Sequence, residues 1–81
     1  MNKITIYGTP WCGDCRRALR ILDEHQIEYD WVDIDKNKDG EAFVKATNEG
    51  NRSVPTIIFP DGNILVEPTN LALIEKLKNL G

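Results

Sequence analysis

The sequence predicts an α/β domain with the element order β-α-β-α-β-β-α and a four-strand mixed sheet. Three observations carry this: short stretches where apolar and polar residues alternate, longer ones where apolar residues recur at i, i+3, i+4 and i+7, and turn-forming Gly, Pro and Asp between them. A parallel β-α-β unit needs its crossover helix on one face with a right-handed turn, so strands one and two pair in parallel and a hairpin supplies the other two. All 81 residues, 1–81, are expected to form a single domain.

Each element has its own signal. Residues 3–7 (Lys-Ile-Thr-Ile-Tyr) alternate as a strand that Gly8, Thr9 and Pro10 end. From Gly13 to about His25, Cys15, Ala18, Leu19 and Leu22 form one apolar stripe, with Arg16, Arg17, Arg20, Asp23 and Glu24 on other faces. Glu28 to Ile34 reads as a second strand, with Tyr29 and Trp31 on one face as sheet packing. Asp35 to Gly40 is expected to be a turn, followed by a short helix over Glu41 to Thr47 that buries Phe43 and Ala46. Thr56 to Phe59 and Asn63 to Val66 form a hairpin about Pro60-Asp61-Gly62. A last helix opens after Pro68 with Thr69 or Asn70 as its cap, and Leu73, Ile74, Leu77 and Leu80 form its core face up to Gly81.

Composition narrows the function. With 41% hydrophobic and 28% charged residues the chain is an ordinary soluble globule. A domain this small buries only about 60 to 65% of its extended surface, so a shallow site is expected. Ten Lys+Arg against 13 Asp+Glu give a net charge of −3, which provides no basic field for nucleic acid. No apolar run approaches the roughly 20 residues of a membrane span. The residues after Lys3 alternate as a strand and show no signal-peptide pattern, so the cytoplasm is the expected location. With no long apolar surface stripe, a monomer is expected.

The chemistry concentrates at Trp11-Cys12-Gly13-Asp14-Cys15, directly after a strand and opening a helix. Three-residue spacing closes too small a loop for a structural staple, which leaves redox chemistry or metal ligation. The attacking species in thiol–disulfide exchange is the thiolate, and the positive end of a helix favours it in a cysteine placed there. Residues three apart on a helix lie within the Cα separation a disulfide accepts. Cys12 at the helix mouth is therefore the expected nucleophile, and Cys15, on the core-facing stripe, the resolving thiol. Arg16 and Arg17 add positive charge nearby. Asp14 works against it, which predicts a comparatively reducing pair if its carboxylate faces the sulfurs. Trp11, beside Cys12 on an exposed loop, is expected to shield the thiol and form part of a partner surface. In Ser53-Val54-Pro55-Thr56, a cis peptide before Pro55 would turn the Val54 N–H and C=O outward beside Cys12, where a substrate could pair with them as a short strand. Arg52 next to that turn could hold the carboxylate of a small thiol.

The strand-helix C-x-x-C, the Val-Pro-Thr turn and the chain length together resemble the glutaredoxin-like branch of the thioredoxin superfamily. Gly50-Asn51-Arg52-Ser53-Val54-Pro55-Thr56, then Phe59, Asp61-Gly62 and Pro68, look most like its mycoredoxin-type subgroup. The resemblance implies a thioredoxin-like fold and reduction of protein disulfides or mixed disulfides through catalytic Cys12 and Cys15, with Val54 beside a cis Pro55. Together with the reading of the residues above, the expected substrate-binding set is Trp11, Gly13, Asp14, Arg52, Val54 and Pro55. No bound cofactor or metal is expected. The expected electron donor is an external low-molecular-weight thiol, mycothiol, glutathione or similar, or thioredoxin reductase, and the expected partners are disulfide-bearing proteins. Thr9 and Pro10 stand where glutaredoxins carry a Lys, and Val66-Glu67-Pro68-Thr69-Asn70 replaces their Gly-Gly-x-Asp-Asp clamp, which argues against glutathione. The alternative function is a metal or iron–sulfur carrier that uses the same cysteines in a dimer.

Two further signals are set aside. Asp35-Lys36-Asn37-Lys38-Asp39-Gly40 matches the first half of a calcium loop, but Ala46 falls where the bidentate Glu belongs. His25, the single histidine, has no second imidazole for a metal site.

Overall fold

A computed structural model describes residues 3 to 79. Its elements are β1 (Ile4–Gly8), α1 (Gly13–Glu24), β2 (Tyr29–Asp33), α2 (Lys38–Thr47), β3 (Thr56–Ile58), β4 (Ile64–Val66) and α3 (Asn70–Lys78), in the expected order. The sheet runs β2-β1-β3-β4. Strand β1 pairs in parallel with β2, Ile4 opposite Tyr29 through Gly8 opposite Asp33. It pairs antiparallel with β3, Ile6 opposite Ile57, and β3 pairs antiparallel with β4, Ile57 opposite Leu65. This is the thioredoxin-like arrangement.

Alternation in β1 sends Ile4 and Ile6 to one face of the sheet. There they meet Ala18, Ile21 and Leu22 of α1, Leu73 and Leu77 of α3, and Ile57 and Phe59, which together form the main core. Helix α2 covers the opposite face. Its Phe43 stacks on Tyr7 with ring centroids 4.8 Å apart, and Gly40 lies so close to the sheet that a Cβ there would stand 2.7 Å from the Val32 side chain. The result is three layers, with α1 and α3 on one side and α2 on the other.

The differences from expectation lie mostly at boundaries. Helix α2 begins at Lys38, one turn before the expected Glu41, because the Asn37 side chain accepts the Gly40 N–H at 2.8 Å and caps it. The turn after β2 is correspondingly shorter. The helix buries Gly40 and Val44; Phe43 is half-buried and Ala46 exposed, so the apolar face lies one residue away from the expected one. In α1 the buried stripe includes Ile21, while Leu19 is only half-buried. Phe59 falls outside β3 and closes the hairpin, its N–H donating to the Asn63 carbonyl at 2.9 Å. Thr69 is the cap of α3, accepting from the Ala72 N–H. Leu80 and Gly81 lie outside the described residues. No helix among the described residues is long and apolar enough to cross a membrane.

Candidate active site

Sheet topology brings three distant segments to one end of the molecule. Because β2 runs parallel to β1 and β3 antiparallel to it, the loop after β1, the loop after β2 and the loop before β3 meet there. The Ile34 N–H donates to the Gly8 carbonyl at 3.0 Å and holds the first two together.

Cys12 is the N-cap of α1, with extended backbone angles, and its Sγ accepts the Cys15 N–H at 3.3 Å. The sulfur thus occupies the place a Ser or Asp oxygen takes at other helix starts, among the unsatisfied N–H groups of the first turn. Cys12 is half-buried, so solvent reaches it; Cys15, one turn on, is fully buried. Burial pushes the Cys15 thiol up to about 12 from its ordinary 9.0, with the Cys12 sulfur and the Asp14 charge adding to the rise and the Thr9 backbone opposing it. Gly8 makes the close approach of β1 possible, since a Cβ there would stand 2.6 Å from Cys15 Sγ and 3.0 Å from the Trp31 ring. Next to it Thr9 is buried, and its hydroxyl has no hydrogen-bond partner among the described residues.

Trp11 is 67% exposed. Its indole Nε1 donates to Asp35 Oδ2 at 2.9 Å, and Arg52 donates to the other oxygen of the same carboxylate. The indole and then Arg52 hold the Asp35 carboxyl below the usual carboxylate range. Arg52 also reaches Glu41 at 2.8 Å, so its guanidinium is engaged by two carboxylates of the protein itself. The expected role of Arg52 as a free cation for a thiol carboxylate meets this competition. Asp14 is exposed and paired to Arg17, which also donates to Asn70 at 2.9 Å; Arg17 is therefore neutralised rather than available to the sulfurs. Gly13 opens α1 with open space where a Cβ would stand.

The Val54–Pro55 peptide bond is cis. Val54 is half-buried, Pro55 is buried, and neither the N–H nor the C=O of Val54 bonds to another described backbone group. The Pro55 carbonyl accepts the Glu67 N–H at 2.8 Å. Thr56 Oγ1 donates to the Ser53 carbonyl at 2.7 Å and accepts from Asn48 Nδ2 at 3.2 Å, so α2 helps to fix this segment.

Trp11, Cys12, Gly13, Asp14, Arg52, Val54 and Pro55 thus stand at one end of the sheet, with Cys15 buried behind them. Sequence reasoning gave no role at this site to Asp35, Glu41, Asn48, Gly8 and Thr9, and took Thr56 only as part of the Val-Pro-Thr turn. A carboxylate just past the end of a parallel strand neighbouring β1 was the one available signal for Asp35. Among the described residues no group of three or more His, Cys, Asp or Glu is placed to hold a metal ion.

Fold and site define a thioredoxin-fold protein with a dithiol at a helix mouth. The chain belongs to the glutaredoxin family, whose model matches residues 4–65. It is 40% identical over 80 residues to Mycoredoxin 1 of Corynebacterium glutamicum, covering 99% of each chain. Among solved structures it resembles glutaredoxin from Archaeoglobus fulgidus, with a TM-score of 0.70 and 25% identity over 99% of this chain and 86% of that one. The glutaredoxin from Methanosarcina mazei Go1 gives a TM-score of 0.71 and 25% identity, over 99% of this chain and 79% of the other. Redox chemistry of thiols is the business of this family, and it agrees with the dithiol described above.

Proposed function

We propose that this glutaredoxin-family chain is a dithiol–disulfide oxidoreductase that reduces protein disulfides, or mixed disulfides with a small thiol, and is recharged by mycothiol. The observation that carries the reading is the asymmetry of the pair: a reachable Cys12 sulfur at the helix mouth and a buried Cys15 whose thiol keeps its proton. The choice of mycothiol rests on the near full-length likeness to Mycoredoxin 1 and on an Arg52 already engaged by Asp35 and Glu41.

The Cys12 thiolate attacks one sulfur of the substrate disulfide, forms a mixed disulfide and expels the first product as a thiolate. Val54 offers its unpaired N–H and C=O to the substrate backbone. Burial is the main cause that raises the Cys15 thiol, but Cys12 is also among the causes, through its hydrogen bond and its charge. Once Cys12 is in a mixed disulfide that charge is gone, so Cys15 loses its proton more readily at the step where it must attack. It then bonds to the Cys12 sulfur and releases the second product thiolate. Two electrons have passed from the protein to the substrate, and two mycothiol molecules restore the dithiol while forming one mycothiol disulfide.

The test gives the diamide-oxidised protein separately to mycothiol with its reductase, glutathione with its reductase, and thioredoxin reductase, and follows NADPH consumption with a small disulfide present. Turnover in the mycothiol arm is the expected result; turnover in another arm alone overturns the choice of donor. Silence in all three, with thiols still free after diamide, overturns the oxidoreductase reading. Cys12→Ser should reduce turnover to background, and Cys15→Ser should accumulate a mixed disulfide visible by mass.

A further inference from the structure

The geometry points to a docking strip along α1 that takes an acidic segment flanking the reactive cysteine of a partner protein. This deepens the oxidoreductase reading and rests on it. Arg16 stands one turn and Arg20 two turns beyond Cys12, close to its face of the helix. Both are exposed, and neither forms an ion pair with another described residue. The other arginines near the thiol are spent: Arg17 on Asp14 and Asn70, Arg52 on Asp35 and Glu41. In a chain of net charge −3, two guanidinium groups without a salt-bridge partner are therefore left along the helix that starts at the thiol.

The rim of the same site supplies apolar contact. Trp11, the residue before Cys12, is 67% exposed. An exposed aromatic next to the reactive cysteine and two unpaired cations along the helix suit a partner with an apolar residue at its disulfide and carboxylates on one flank.

The spacing fixes where those carboxylates belong. At about 1.5 Å per residue, Arg16 and Arg20 lie about 6 and 12 Å along the helix from Cys12. An extended chain advances about 3.3 Å per residue. Acidic side chains about two and four residues from the reactive cysteine would meet the two guanidinium groups.

The probes are four disulfide-linked peptides. Each carries glutamates or lysines two and four residues from its cysteine, on the N-terminal or the C-terminal flank; 2-hydroxyethyl disulfide serves as a neutral substrate. Protein reduced with dithiothreitol and freed of it passes its two electrons to each disulfide in a single turnover, and the released thiols are measured by chromatography. On one flank the glutamate peptide is expected to react about 5 to 30 times faster than its lysine counterpart at low salt, the ratio approaching 1 by about 1 M. Arg20→Glu should lower that ratio at least about threefold, with Arg20→Gln in between. Because the ratio is taken on one protein, any change in Cys12 reactivity cancels. Ratios near 1 on both flanks, or a ratio unchanged in Arg20→Glu, overturn the docking strip while 2-hydroxyethyl disulfide is still reduced. Failure to reduce 2-hydroxyethyl disulfide overturns the oxidoreductase reading and the strip with it.

Discussion

Cys15 links burial to pH. Its thiol is pushed up to about 12, chiefly by burial, from 9.0 where solvent surrounds it. For an acid with a raised folded value, the unfolded chain loses its proton first. Between pH 9 and about 12 the folded state therefore binds more protons, and stability falls as pH rises. Below that window Cys15 is protonated in both states and contributes no slope. Denaturation of the reduced protein at several alkaline pH values should show this decline, and Cys15→Ala should flatten it. Tyr29, raised by burial and by its bond to Asp23, contributes in the same direction but is present in both proteins and cancels in the comparison. Equal slopes in the two would refute the assignment to Cys15.

At the level of the element, β1 sets how near the sheet comes to the sulfur. Gly8→Ala places a Cβ 2.6 Å from the buried Cys15 Sγ and 3.0 Å from the Trp31 ring, too close for either to stay where it is. Such overpacking costs about 1 to 3 kcal/mol, seen as a lower denaturant midpoint. Gly13→Ala, helical and with open space around it, should hold or slightly raise the midpoint, which separates crowding from any general effect of glycine loss. Element types were legible because their signal is periodic: Ile4 and Ile6 alternate, while Cys15, Ala18 and Leu22 recur along a helix. The start of α2 was not, because Lys38-Asp39-Gly40 carries no apolar residue and its burial comes from a glycine pressed on Val32. The cysteines could be placed from local pattern, since cap and helix stripe lie within a few residues. The union of Trp11, Asp35 and Arg52 could not, because it depends on which strands are neighbours and in which register.

Across the whole molecule one thin core serves both stability and site. Phe59 and Leu22 are each at most 1% exposed and bind sheet to helices. A domain of this size has roughly 4 to 12 kcal/mol of stability, and Phe59→Ala removes about 3 to 5 of it. Far-ultraviolet circular dichroism should show a large loss of folded protein near physiological temperature, and Cys15 should become reactive to thiol reagents in parallel. Phe59→Leu should lie between; a Phe59→Ala protein as stable as the original would refute this account of the core. The bonds from Trp11 to Asp35 and from Asp35 to Arg52 span 24 and 17 residues, so their partners are synthesised one after another. A nascent chain complete through Asp35 holds both sulfurs and the acceptor for the indole, yet has neither the guanidinium nor the Val54–Pro55 segment. Arg52 follows Cys15 by 37 residues, roughly 2 to 7 s of elongation at about 5 to 20 residues per second. For that interval the ribosome carries a dithiol without its surroundings, whose reactivity is that of two cysteines in an unfinished chain.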